Sequence, residues 1–161
     1  MYKNKIAKLQ LWSLNTYGGN ISNYLRVQQG FVVVFDVTNH ESFEYVKGCL
    51  QYIERYSYAL YARIILGTKN DCVKKRCVER EEVEALIADF TDSQNNFTDS
   101  KIKYFETSAK NPHVSTNIST IIQNLIGDII TENLVAGTIS NYEIRDYQTP
   151  LEIPDRCCVV S

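Results

Sequence analysis

Two kinds of residue cluster in this chain are equipped for chemistry: a pair of thiols at its end, and two polar runs that each follow an apolar one. The C-terminus reads Cys157-Cys158-Val159-Val160-Ser161. Adjacent thiols followed by aliphatic residues and a Ser form a prenyl acceptor box, with Cys157 and Cys158 as two sites for thioether-linked isoprenoids. One buried lipid chain gives marginal membrane binding, whereas two give stable anchoring. The plainer alternative is a frayed end that happens to carry two thiols. The polar runs are Gly67-Thr68-Lys69-Asn70-Asp71 and Glu106-Thr107-Ser108-Ala109-Lys110. An Asp can accept two hydrogen bonds from a planar N–H/NH₂ edge of the kind guanine presents. A Lys two residues earlier can lay its aliphatic stem along a purine ring, and a backbone N–H near Ala109 can donate to a ring carbonyl. Asp and Lys are common in solvated loops, so each run alone is weak. Two such loops after adjacent strands point to base recognition.

The elements that must position these runs alternate between strand and helix. Ile6 to Trp12 alternates apolar and polar residues, as a half-buried strand does. Residues 13–30 are polar and irregular, with breaks at Gly18-Gly19 and Gly30. Phe31 to Val37 is nearly continuous β-branched and aromatic sequence, the pattern of a parallel strand buried on both faces. Thr38 or Asn39 can cap the next helix, whose Phe43, Val46, Leu50 and Ile53 share one face. Ala62 to Leu66 reads as a second buried strand ending at Gly67. Residues 79–90 begin acidic and place Val83, Leu86, Ile87 and Phe90 inward. Ile102 to Phe105 makes a short last strand, and Thr116 to Leu134 carries Ile118, Ile121, Ile122, Leu125 and Ile129 at helical spacing. The order β-α-β-α-β-α implies right-handed crossovers and a mostly parallel sheet flanked by helices. In such an α/β sheet ligands bind outside the carboxyl ends of the strands, where both polar runs fall.

Composition narrows the class. The chain has 161 residues and 44% hydrophobic content, enough for one sizeable core. Its formal charge of −2 gives no electrostatic footprint for nucleic acid. No apolar run reaches the roughly 18 residues of a membrane-spanning helix, and Met1 to Lys5 lacks the apolar core of a secretory signal. Cys49, Cys72 and Cys77 are scattered, without a further Cys or His at zinc-site spacing, and read as free cytosolic thiols. The sequons at Asn20, Asn96 and Asn117 carry little weight in a cytosolic chain.

Taken together, these motifs resemble those of a Rab-branch small GTPase of the Ras superfamily. Lys8-Leu9-Gln10-Leu11-Trp12 resembles the strand that enters the second switch. Phe31 to Thr38, followed by Glu41-Ser42-Phe43, resembles the central strand and helix start of Rab proteins. Thr68-Lys69-Asn70-Asp71 is similar to the guanine-specificity motif in a Thr-first variant, and Glu106 to Lys110 to the second base-contact motif. The resemblance makes Thr68, Lys69, Asp71, Ser108, Ala109 and Lys110 the guanine-binding positions. It also makes Cys157 and Cys158 a doubly geranylgeranylated ending. It runs from about Lys5 to Leu134, plus the terminus. The implied fold is the P-loop NTPase fold of small GTPases, with residues 1–137 a partial GTPase domain and 138–161 a flexible tail.

Departures from that family are equally specific. The sequence contains no G-x-x-x-x-G-K-[ST], and none of its seven glycines precedes a Lys. The backbone cradle for the β-phosphate and the Lys and Ser/Thr that serve phosphate and magnesium are thereby absent. By the resemblance, the chain lacks the family's first strand, P-loop, first helix, first switch and second strand. Where the family places Asp-x-x-Gly-Gln, this chain has Ser13-Leu14-Asn15-Thr16-Tyr17-Gly18-Gly19, without the carboxylate or the Gln. The missing first strand would lie between Ile6–Trp12 and Phe31–Val37, so either Ile6–Trp12 pairs directly with Phe31–Val37 or it hangs loose. Each unpaired buried backbone group costs about 1 kcal/mol or more, against a total stability of about 5–15 kcal/mol. Part of a longer Rab-like protein and a degenerate paralogue both fit.

The resemblance implies a Rab-like GTPase that binds GTP and GDP, with Mg²⁺ in the complete family form, and regulates vesicle-mediated membrane traffic. Its implied partners are guanine nucleotide, the prenylation machinery, Rab regulators and effectors, and the cytoplasmic face of endomembranes through prenyl groups. The alternative is a non-hydrolysing, prenylated pseudo-GTPase that serves as a membrane-tethered interaction module. A third reading, an unrelated α/β nucleotide or metabolite binder, does not explain the paired base motifs together with the tail.

Overall fold

Alternation along the apolar runs decides the layers. The computed structural model describes residues 10–11, 25, 28–57, 62–92, 102–111 and 116–135. Within them the order is β1 (Gly30–Asp36), α1 (His40–Tyr56), β2 (Ala62–Thr68), a short 3₁₀ turn (Val73–Lys75), α2 (Arg80–Asp92), β3 (Ile102–Glu106) and α3 (Ile118–Val135). The strands pair in parallel in the order β1-β2-β3, with Asp36 opposite Thr68 and Gly67 opposite Glu106. Successive side chains of a strand point to opposite faces. Phe31, Val33 and Phe35 of β1 and Ile65 of β2 therefore share one core with Val46, Leu50 and Ile53 of α1 and Val83 and Phe90 of α2. Val32 of β1 and Ile64 and Leu66 of β2 share the other with Ile121 and Leu125 of α3. Helices thus cover both faces of the sheet, the arrangement expected from the continuous apolar strands.

Local signals account for the helix starts. Asn39 is the N-cap of α1, its side chain accepting from the Ser42 N–H, while Thr38 is committed to Asp36 instead. Before α2, the Glu79 N–H donates to the Glu82 carboxylate, leaving acidic side chains at a helix N-terminus where the dipole favours them. In α3, Ile118 lies in the first turn and is exposed, so the apolar face engages the sheet only from Ile121 onward. Strand β2 extends two residues beyond the expected end at Leu66, because Gly67 and Thr68 keep their pairing with Phe35 and Asp36. Of the expected strand Ile6–Trp12, only Gln10 and Leu11 lie among the described residues, and these two carry no strand pairing. The segment Ser13–Gly19 and the tail 138–161, with Cys157 and Cys158, lie outside the described residues. Among the described residues, no helix is long and apolar enough to cross a membrane.

Candidate functional site

Both polar runs emerge at the carboxyl ends of adjacent strands, and the structure ties them together. The Thr107 N–H donates to the Gly67 carbonyl at 2.8 Å, and the Asn70 N–H to the Thr107 carbonyl at 3.4 Å. Thr107 and Ser108 are buried although both are polar. Each has partners, as burial requires: the Thr107 hydroxyl donates to the Thr116 carbonyl at 3.1 Å. The Ser108 hydroxyl donates to Asp71 Oδ1 at 2.5 Å and accepts from the N–H groups of Lys110 and Asn111 at 3.1 and 3.0 Å. This hydrogen bond is the main reason the Asp71 carboxyl sits below the usual carboxylate range. A carboxylate oriented in this way stays ionised and presents acceptor oxygen at the mouth of the sheet.

The other predicted positions fall around Asp71 with different roles. Thr68 ends β2 and its hydroxyl donates to the Phe35 carbonyl at 2.8 Å, so it fastens the loop to β1. Lys69 has a φ of 62°, the left-handed region that L side chains rarely adopt. From there its Nζ reaches Asp36 Oδ2 at 2.5 Å. That bond raises the Lys69 pKa. Burial acts to raise Asp36, but the bonds from Lys69 and Thr38 outweigh it and the carboxyl is lowered. Ala109 and Lys110 are exposed at the tip of the β3 loop. The structure therefore brings Lys69, Asp71, Ser108, Ala109 and Lys110 to one rim and sets Thr68 beneath it.

Beside the rim lies a charged cluster that sequence patterning did not reveal. Arg76 forks onto Glu106, with NH1 to Oε1 at 3.1 Å and NH2 to Oε2 at 2.5 Å, and NH1 also donates to the Val78 carbonyl. The Tyr104 hydroxyl donates to Glu106 Oε1 at 2.6 Å, and the Arg80 guanidinium lies 4.9 Å from the Tyr104 ring centre. Burial and the neighbouring carboxylate push the Tyr104 hydroxyl well above its ordinary range. Glu106 immediately precedes Thr107 and Ser108, so this fork fixes where the β3 loop begins. The sequence places Glu106 only at the head of the second polar run, after a strand expected to end at Phe105; in the structure β3 extends through Glu106. Asp36, the partner of Lys69, falls within the expected strand Phe31–Val37, and the structure ends β1 at it.

Comparison with known proteins identifies the architecture. The profile of the Ras family matches residues 1–131. The chain belongs to the Ras family. It is 37% identical over 117 residues to the GTP-binding protein ypt1 of Schizosaccharomyces pombe, covering 71% of this chain and 51% of that protein. It is 34% identical over 131 residues to Ras-related protein Rab-8B of Pongo abelii, covering 80% and 57%. With Ras-related protein Rab-13 of Rattus norvegicus it shares 29% identity over 155 residues, or 94% of this chain and 69% of that one. The chain spans about half the length of the first two relatives. These likenesses support a Rab-family small GTPase, and the parallel sheet flanked by helices is consistent with that fold.

Guanine nucleotide, typically with magnesium, is what membership of the Ras family implies. Of the residues a base would meet, Asp71 presents an ionised carboxylate held by Ser108, and Lys69 has its ammonium on Asp36. The phosphate half does not fit the residues present. The sequence has no phosphate-cradling Gly-rich motif ending in Lys and Ser/Thr. Among the described residues, no three His, Cys, Asp or Glu side chains converge as a metal site. No chemical step through magnesium follows from these side chains.

Proposed function

We propose that this Ras-family chain is a Rab-like module that recognises guanine nucleotide through its base and works in vesicle-mediated membrane traffic. The observation that carries the reading is the Asp71 carboxylate, held by buried Ser108 at the carboxyl ends of two adjacent parallel strands. Asp71 accepts from the ring N–H and exocyclic amine of guanine, Lys69 covers one ring face, and the Ala109 amide faces the ring carbonyl. Binding and orientation of the base are the chemistry this chain's own residues perform. Cys157 and Cys158 are the proposed prenyl acceptors, which place the module on the cytoplasmic face of endomembranes with two geranylgeranyl chains. The tail from residue 138 carries two arginines against four acidic residues, so a polybasic second anchor is lacking and both lipids are needed.

A second reading, a non-hydrolysing prenylated pseudo-GTPase, is supported by Ser13–Gly19, where neither the Asp nor the Gln of the family's Asp-x-x-Gly-Gln motif stands. A fluorescence titration with mant-GDP, competed by GDP, IDP and ADP, tests base recognition. GDP should compete best, IDP less well because it lacks the exocyclic amine, and ADP least. Equal competition by GDP and ADP would remove Asp71 from the proposed role.

A further inference from the structure

The ion pair between Lys69 and Asp36 has an exposed end and a largely covered end. Asp36 closes β1 opposite Thr68, the last residue of β2. Its N–H donates to Ser42 Oγ at 3.0 Å, and its carbonyl accepts from the Asn39 N–H at 2.9 Å. Its Oδ1 accepts from both the N–H and the hydroxyl of Thr38, at 2.8 and 2.7 Å. Thr38 thus holds the carboxylate while Asn39 and Ser42 hold its backbone, and Oδ2 is the oxygen that takes Lys69 Nζ. The Asp36 side chain is only 20% exposed, whereas that of Lys69 is 60% exposed. A long exposed Lys has several rotatable bonds to immobilise, and an anchored ammonium reduces the freedom lost when a ligand lies on its stem.

We propose that Asp36 is a positioning residue for guanine recognition, tethering the Lys69 ammonium to the end of β1 so that the Lys69 stem forms one wall of the base site. This rests on the base-recognition reading above and adds a residue to it. Asp36 does not touch the base; it acts through Lys69. The tether has a second effect. Lys69 lies two residues from Asp71, and an untethered ammonium would compete with the base for the Asp71 oxygens. Pairing with Asp36 keeps that positive charge on the β1 side, away from the Asp71 oxygens, which already accept from the Ser108 hydroxyl and the Cys72 thiol.

The test uses the full chain with mant-GDP as probe, and the variants Asp36→Asn, Asp36→Glu, Lys69→Met and Asp36→Asn/Lys69→Met. Asn retains an acceptor for Thr38 but removes the charge that holds Lys69, while Met keeps an aliphatic stem without the ammonium. Asp36→Asn should weaken mant-GDP binding roughly three- to tenfold, a cost of reordering one long side chain. Asp36→Glu should recover part of the loss, and Asp36→Asn should do nothing further in the Lys69→Met background. In the ligand-free protein, NMR titration of the Lys69 Nζ should show its raised pKa returning toward the ordinary 10.5 in Asp36→Asn. Unaltered mant-GDP affinity in Asp36→Asn, or an equal loss in the presence and absence of the Lys69 ammonium, overturns the positioning role while leaving base recognition standing. Failure of the unmutated chain to bind mant-GDP overturns both, and the unchanged Lys69 titration in Asp36→Asn overturns the tether alone.

Discussion

Replacing Gly67 of β2 with Ala places one methyl group among side chains of β1, of β3 and of Val37 just after β1. The new Cβ would lie 2.9 Å from the Tyr104 hydroxyl oxygen, 2.9 Å from Val37 Cγ1 and 3.3 Å from Phe35 Cζ. Favourable carbon contacts begin at about 3.5 Å, so two neighbours must each yield roughly half an ångström. Neither is free to do so. Val37 is fully buried, and its carbonyl accepts from the N–H groups of Cys77 and Val78 at 2.9 and 3.1 Å. The Tyr104 hydroxyl is held by Glu106, and its ring stacks against Phe35 with centres 6.2 Å apart. Overpacking of this kind costs about 2–3 kcal/mol. The loss of unfolded-state freedom on going from Gly to Ala returns about 0.4–1 kcal/mol. The net destabilisation is about 2 kcal/mol, which lowers a urea midpoint by roughly 1 M at an unchanged slope of about 2 kcal/mol per M. Equilibrium urea unfolding of the wild type, Gly67→Ala, Tyr104→Phe and the double variant measures it. Tyr104→Phe removes one of the two crowded atoms, so Gly67→Ala should cost about 1 kcal/mol less in that background. A midpoint that stays put or rises in Gly67→Ala, or a cost that Tyr104→Phe leaves untouched, would refute the packing argument.

Further expectations concern charge, base and lipid. Glu106→Gln keeps the shape but turns an amide NH₂ toward Arg76, and with the pair only 17% and 12% exposed this should cost about 3 kcal/mol in the same unfolding assay. Burial acts to raise Glu106, but the bonds from Arg76 and Tyr104 hold its folded pKa below the ordinary 4.5. Its stabilisation is therefore present above that value and lost as pH falls through the lower folded value, so wild-type stability should drop more steeply below about pH 4.5 than that of Glu106→Gln. Asp71→Asn should lower the preference for GDP over ADP by about tenfold or more in competition titrations, through one mismatched donor. Phosphate release from GTP by the purified 161-residue chain should equal the no-protein control; release above it that chelation of magnesium abolishes would contradict the proposed non-hydrolysing form. On fractionation with intact mass measurement, wild type should be membrane-bound with two isoprenoids, Cys157→Ser and Cys158→Ser weakly bound, and the double variant cytosolic.

The amino-acid sequence by itself determined the alternation of strands and helices, because two-residue and helical periodicities are local properties. The run Phe31–Val37 implied a strand buried on both faces, and the faces of α1 and α2 were readable from Val46, Leu50, Ile53, Val83 and Phe90, all buried. The two polar loops were also legible as a pair, since strand order alone sends both to one end of a parallel sheet. Ends of elements were less legible: β2 continues to Thr68 because its neighbours still pair with it, and Ile118 is exposed despite its helical spacing. The tertiary structure alone decided which side chains meet. Ser108 bonds Asp71 across 37 residues, and Arg76 bonds Glu106 across 30. Asp36 reaches Lys69 only because Asp36 stands opposite Thr68 in the β1-β2 register and Lys69 turns back through a left-handed backbone. Periodicity carries no information about such pairings. They follow from strand register and from the few ångströms within which a carboxylate and its donor must sit.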